Sequence, residues 1–223
     1  LPGNGTCLAT SPERLGLCRR AAERVVAMAK EWAEGGCRET YRLLPRRVMD
    51  RSAFHNAFTL DMAMGGSSNT VLHLLAMASE AGADFDLDDV ERISRRTPNI
   101  CRIAPSQTPE GRTYHIQDLH RAGGIHTILG QLLADKPSTI RAKRLTVTGE
   151  TVGENVARWS LRSEGLCPAG RRLYRRGWKA TGRSVEQVKA MYRGEKPTRL
   201  PTLNAGPFDA EYVIRPVARP FTK

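Results

Sequence analysis

The stretch MAMGGSSNTVLHLLAMASEAG, residues 62–82, decides how the chain is read. Two glycines, two serines and an asparagine stand directly before a run whose residues are apolar on nearly every helical face. The spacing predicts a helix from Asn69 to Glu80, ended by Gly82 and buried on most sides. Ser67, Ser68 and Asn69 can each cap it, and Gly65 and Gly66 let the backbone turn sharply before it. Such a helix start also favours an anion, because its N–H groups point outward with the helix dipole. The pattern is neither a P-loop nor GxGxxG, since no Gly-Lys-Ser/Thr follows and the glycine spacing is wrong. Local chemistry therefore leaves two readings open, a plain capped helix and one wall of a site.

Helical signals extend on both sides. Ser11 and Pro12 open a helix that Gly35-Gly36 closes, with Leu15, Cys18, Ala22, Val25, Ala29 and Trp32 expected as its buried face. A second helix starts near Ser52 and carries Phe54 and Phe58. Asp86 caps LDDVERISRR, which stops before Thr97-Pro98. HIQDLHRAGGIHTILGQLLAD reads as two helical pieces broken at Gly123-Gly124. Thr151 and Glu154 have capping-box spacing. NICRIAP and RLTVTG read as strands. Strands alternating with helices predict an α/β fold, a layered sheet flanked by helices, over residues 1–159.

Composition bounds the function. The 223 residues are 40% apolar and 26% charged, and no apolar run approaches the ~20 residues of a membrane span. LPGNGT at the start lacks the features of a signal peptide, and both ends read as cuts through a longer protein. Of the net charge of +12, a local +8 lies between Ser160 and Leu200, with eleven Lys/Arg against three Glu. Residues 160–206 are therefore expected to form a basic insertion or surface excursion, including a short helix capped by Ser184 and Gln187. Residues 207–223 form a connection beyond it. Nucleic acid is not the expected partner, although a basic RNA-binding module is the alternative from another class. The five cysteines show no CxxC or metal-type spacing, which fits a reducing cytoplasm. Cys18 and His73 are expected in the core and His55 on a helix surface. His120 could serve as an acid or base, or as a hydrogen-bonded scaffold residue.

Three motifs occur in order: LPGNGT (1–6), the 62–82 stretch and DLHRAGGI (118–125). LTVTGETVGEN (145–155) and YVIRPVARPFTK (212–223) follow. Together they resemble the dihydroxy-acid and sugar-acid dehydratase family over all but about residues 160–206. Thr70 stands where the phosphogluconate branch carries His, and Leu119 and His120 where aldonate enzymes carry aromatics. The resemblance is therefore closest to the dihydroxy-acid branch, with an aldonate dehydratase as the alternative. It implies most of the family's N-terminal domain, lacking its start, with the C-terminal β-barrel domain missing. It also implies dehydration of a 2,3-dihydroxy-3-methyl acid to a 2-keto acid in valine and isoleucine synthesis. The family employs an iron–sulfur cluster, [2Fe-2S] or [4Fe-4S], and Mg²⁺, and a serine on the second domain takes the proton. Catalytic and metal-binding positions are expected outside this chain, so the chain alone should be inactive. The full-length parent is expected to be a homodimer or tetramer. Asn4, Gly65, Gly66, Ser67, Ser68, Asn69, His120, Gly123 and Gly124 are the cleft or scaffold candidates. None of the five cysteines matches the family's cluster-ligand motifs.

Overall fold

A computed structural model describes residues 1–9, 11–39, 41–111, 113–178 and 213–222. A 3-10 turn, Asn4–Thr6, is followed by nine described helices. They are α1 (Pro12–Glu34), α2 (Pro45–Val48), α3 (Arg51–Met64), α4 (Ser68–Ala81), α5 (Leu87–Ser94), α6 (Ile116–Arg121), α7 (Gly124–Ala134), α8 (Val152–Trp159) and α9 (Pro168–Trp178).

Local chemistry sets most of these boundaries. The Ser11 hydroxyl accepts from the Glu13 N–H (3.3 Å), with Pro12 at the first helical position, and α1 ends at Gly35. Asp50, rather than a residue nearer Ser52, caps α3 through the Ala53 N–H (2.9 Å). Asp86 and Asp89 close a reciprocal box on α5, as do Thr151 and Glu154 on α8. Gly82 ends α4 in the left-handed region.

The layered α/β sheet expected from the sequence is not found. Among the described residues there is no named strand, only four isolated antiparallel bridges. NICRIAP lies between Pro98 and Pro105, which cannot donate to a ladder. It makes only the bridges Asn99–Thr222 and Cys101–Ile214 against the C-terminal stretch. RLTVTG is β-branched but folds back on itself. The Thr146 N–H reaches the Glu150 carbonyl (2.9 Å), and the bridge Leu145–Thr151 closes the turn. The Asn155 amide then ties down the hydroxyls of Thr146 (3.0 Å) and Thr148 (2.8 Å), so no second strand is recruited.

The main core is helical. Leu119 and Ala122 from the α6 region, Ile128 and Leu132 of α7 and Ala63 of α3 pack with Ile100, Cys101, Val213 and Ile214. A second cluster joins Phe58 to Val90 and Ile93 of α5, with Phe85 stacked on Phe58 at 5.2 Å between ring centroids. Two expected faces differ. In α4 only Ala78 is buried, while Leu72 stands 68% exposed and His73 also faces solvent. Of α1, Leu17 is buried, whereas Leu15, Cys18, Ala22, Val25 and Ala29 are exposed. Apolar periodicity reports a stripe that can be covered, not what covers it. His55 is half-buried, and its backbone carbonyl accepts from the Thr59 hydroxyl (2.8 Å).

The first part of the basic segment carries α9, and Tyr174 of that helix is 1% exposed. Residues 179–212 lie outside the described residues, and with them the helix expected after Ser184.

Candidate functional site

The first and third glycine-rich motifs meet. Thr6, 3% exposed, places its hydroxyl 2.7 Å from His120 Nδ1. His120 Nε2 lies 3.4 Å from the Leu173 carbonyl. A carbonyl only accepts, so Nε2 carries the proton, and the Thr6 hydroxyl donates to Nδ1. The Tyr174 ring packs on the imidazole at 5.3 Å. His120 is thus held at both ring nitrogens and on one face.

The glycines are the condition for this approach. Gly123, N-terminal to α7, has φ 108°, which L side chains rarely adopt. A Cβ on it would fall 2.1 Å from Thr127 Oγ1 and 2.8 Å from Leu161 Cβ. A Cβ on Gly124 would meet Thr6 Oγ1 at 3.0 Å. Asn4 lies at the exposed rim, where its side-chain oxygen accepts from Arg14 (2.8 Å). A second Arg14 nitrogen bonds the Cys7 carbonyl and so fastens the LPGNGT turn to α1.

The turn at 65–69 forms a separate surface. Gly65 ends α3 with φ 65°, and the Gly66 N–H returns to the Asp61 carbonyl (2.9 Å). Asn99, oriented to satisfy both neighbours, accepts from the Gly65 N–H (3.1 Å) and donates to the Cys101 carbonyl (2.8 Å). The Ser67 hydroxyl caps α4 through the Asn69 N–H (3.2 Å). Ser67, Ser68 and Asn69 are exposed. Asp61 lies directly over Gly66, its carboxyl pushed up by burial and partly pulled back by a bond from the Thr70 hydroxyl. The turn connects to the His120 cluster through α3, whose Ala63 shares a core with Leu119 and Ala122.

Of the nine candidates, Asn4, His120, Gly123 and Gly124 therefore assemble in one place, and Gly65 to Asn69 in another. Arg14, Tyr174 and Asp61 also belong to these two places, and none of them is among the candidates expected from the sequence, while Thr6 is expected only as part of the LPGNGT turn. The lone carboxylate within TLDMAM was the available signal for Asp61, whereas nothing local marks Tyr174. Beside the cluster is a cavity of about 660 Å³ between the N-terminal residues, α1, α8 and α9. Arg20, Arg158 and Arg172 line it with Glu13 and Glu150, and Glu150 pairs with Arg158.

Burial lowers the pKa of three imidazoles. His120 is lowered mainly by desolvation, opposed by the Leu173 carbonyl and the charge of Glu13. His126 is lowered to about 4 mainly by burial, and His55 by burial and then Arg141. The unfolded chain takes up these protons near the ordinary value of 6.5, and the folded chain only at lower pH. The unfolded state therefore binds more protons in that window, and stability falls as pH drops from about 6.5 towards about 4. The melting temperature should decline steadily between about pH 7 and 5. A flat profile would mean these rings protonate freely in the folded state.

The donors among the described residues do not fit an iron–sulfur cluster or Mg²⁺ site. Among the described residues no three of His, Cys, Asp and Glu converge to hold a metal. Cys18 and Cys37 are exposed on the surface, and Cys101 is a core thiol whose pKa burial pushes far up.

Comparison with known proteins places the sequence in a family. Residues 1–155 match the model for "Dihydroxy-acid/6-phosphogluconate dehydratase N-terminal". The chain is 50% identical over 156 residues to a dihydroxy-acid dehydratase of Akkermansia muciniphila. It is 49% identical over 156 residues to one of Anaeromyxobacter sp.. Each match covers 70% of this chain but 25% of the relative, so the aligned part spans about a quarter of the relatives' length. The three glycine-rich motifs, two of them packed together around His120, all lie inside the matched region. The chain therefore belongs to the dihydroxy-acid/6-phosphogluconate dehydratase family, of which it carries N-terminal sequence.

Proposed function

We propose that this chain forms part of a dehydratase acting on 2,3-dihydroxy-3-methyl carboxylic acids, giving 2-keto acids for valine and isoleucine synthesis. The observation that carries this reading is the family match over residues 1–155, with both relatives named dihydroxy-acid dehydratase. The residues present suit holding more than proton transfer. Thr6, His120 and Tyr174 clamp the two glycine motifs together, and the exposed 65–69 turn offers N–H groups and hydroxyls to an acid's carboxylate. Loss of water from such an acid needs a base at C2 and help for the departing C3 hydroxyl. We assign both tasks, with the iron–sulfur cluster and Mg²⁺ of the resemblance, to other parts of the parent polypeptide.

The segment 160–206 is proposed as an addition to the family's frame, since the match stops at Asn155. A reducing cytoplasm is proposed from the five free cysteines, and no described helix is long and apolar enough to cross a membrane.

The test is a substrate panel on the intact, anaerobically prepared enzyme. Keto-acid formation from 2,3-dihydroxy-3-methylbutanoate should far exceed that from aldonates, and the 223-residue chain alone should turn over neither. Preference for a sugar acid would replace the assignment with an aldonate dehydratase.

A further inference from the structure

The C-terminal stretch 213–222 is bonded back onto residues 99–102. The Arg102 N–H donates to the Val213 carbonyl (3.0 Å), and the Arg215 N–H to the Ile100 carbonyl (2.8 Å). The chain then turns and comes back to Asn99. The Asn99 carbonyl accepts from the Phe221 N–H (2.8 Å), and its N–H donates to the Thr222 carbonyl (3.0 Å). The Phe221 ring is held by two guanidinium groups, Arg102 at 4.3 Å and Arg215 at 4.0 Å from its centroid. Each group is about as wide as the ring, so two cannot share one face at these distances and they take opposite faces. The return of the chain to Asn99 is clamped in this way.

Asn99 uses its backbone on this stretch and its side chain on the 65–69 turn. Half-buried, its amide accepts from the Gly65 N–H (3.1 Å) and donates to the Cys101 carbonyl (2.8 Å). Gly65 is the joint between α3 and α4, at φ 65°, where neither helix fixes the backbone. The last turn of α3 is tied to the same segment, since the Ala63 carbonyl accepts from the Ile100 N–H (2.8 Å). We propose that Asn99 is a positioning residue, whose amide sets the direction of the 65–69 turn from the clamped C-terminal stretch. It thereby aligns the N–H groups and hydroxyls that receive the acid's carboxylate, and so rests on the reading of that turn as the carboxylate subsite. The first N–H groups of α4 have no acceptor within the helix, so the direction of the joint is the direction they offer a ligand. Asn99 acts through Gly65 and does not itself touch substrate.

Amide exchange and kinetics on the intact enzyme test this together. Asn99→Ala should raise exchange about fivefold in peptides covering residues 62–70 and leave peptides covering α5 unchanged. Phe221→Leu, which removes the ring from between the guanidiniums, should have a similar effect. Added to Asn99→Ala it should do nothing further, because both substitutions act through one amide. In Asn99→Ala, KM for 2,3-dihydroxy-3-methylbutanoate should rise about tenfold with kcat within about twofold, the pattern of binding lost equally from substrate and transition state. Additive effects on exchange would overturn the relay through Asn99. An unchanged KM beside raised exchange would overturn the carboxylate alignment. Exchange raised in α5 as well would make Asn99 a general stabilising residue and overturn the proposal. If the unaltered enzyme yields no keto acid, the dehydratase reading fails instead, and the exchange measurements alone decide the relay.

Discussion

Gly123→Ala should destabilise the chain by about 4 kcal/mol, lowering the melting temperature by more than ~10 °C. Two effects add. The backbone at φ 108° resists any Cβ, at a cost of about 1–2 kcal/mol. The new methyl also collides with Thr127 Oγ1 and Leu161 Cβ. Thr127 is fully buried, and its hydroxyl accepts from the Leu161 N–H (3.1 Å), so rotating it away breaks a buried bond. Gly66→Ala is the control. Its Cβ would fall closer still, 1.9 Å from Asp61 Oδ1, but that atom ends a flexible, half-buried side chain. The Asp61 carboxylate can swing aside, and the expected loss is about 1 kcal/mol. Thermal melts of the two variants side by side check the prediction. Equal losses would mean that the Gly123 environment relaxes as readily as the surface turn.

His120→Ala should cost about 3 kcal/mol, roughly 10 °C in melting temperature for a chain of this size. The substitution removes a buried ring from the Tyr174 face and leaves the Thr6 hydroxyl and Leu173 carbonyl without their partner. His120→Gln should recover about half of the loss, because an amide can donate to the carbonyl and accept from the hydroxyl. Circular-dichroism melts of the three proteins give the comparison. No recovery with Gln would show that ring packing, not hydrogen bonding, holds the cluster.

Much of the helical framework was legible because end signals are local. Ser11, Asp86 and Thr151 each bond a backbone N–H within three residues, so a short window contains the whole interaction. The sheet was misread for the converse reason. A β-branched run such as LTVTG becomes a strand only if a partner lies alongside, and here the chain turns back at Gly149. The cluster was legible only in part. The glycine pairs mark turns and helix breaks, but Thr6 and His120 are 114 residues apart, and no spacing rule spans that distance. Tyr174 lies beyond the family match, in a segment whose charge suggested surface, yet its ring is buried against His120. The exposed faces of α1 and α4 were read as core because periodicity gives the stripe without its partner.

Under the proposed function, this chain supplies a packed wall to a dehydratase, and His120 holds that wall without moving a proton. The pH–rate profile of the intact enzyme carrying His120→Gln tests it most directly, with keto acid measured from a 2,3-dihydroxy-3-methyl acid. A positioning role gives a fall in kcat/KM of less than about tenfold and an acid limb in the same place, since general acid–base groups contribute about 10²–10⁴-fold. A loss of a thousandfold or more with the limb removed would make His120 the acid or base. No keto acid even from the unaltered enzyme would contradict the dehydratase reading itself.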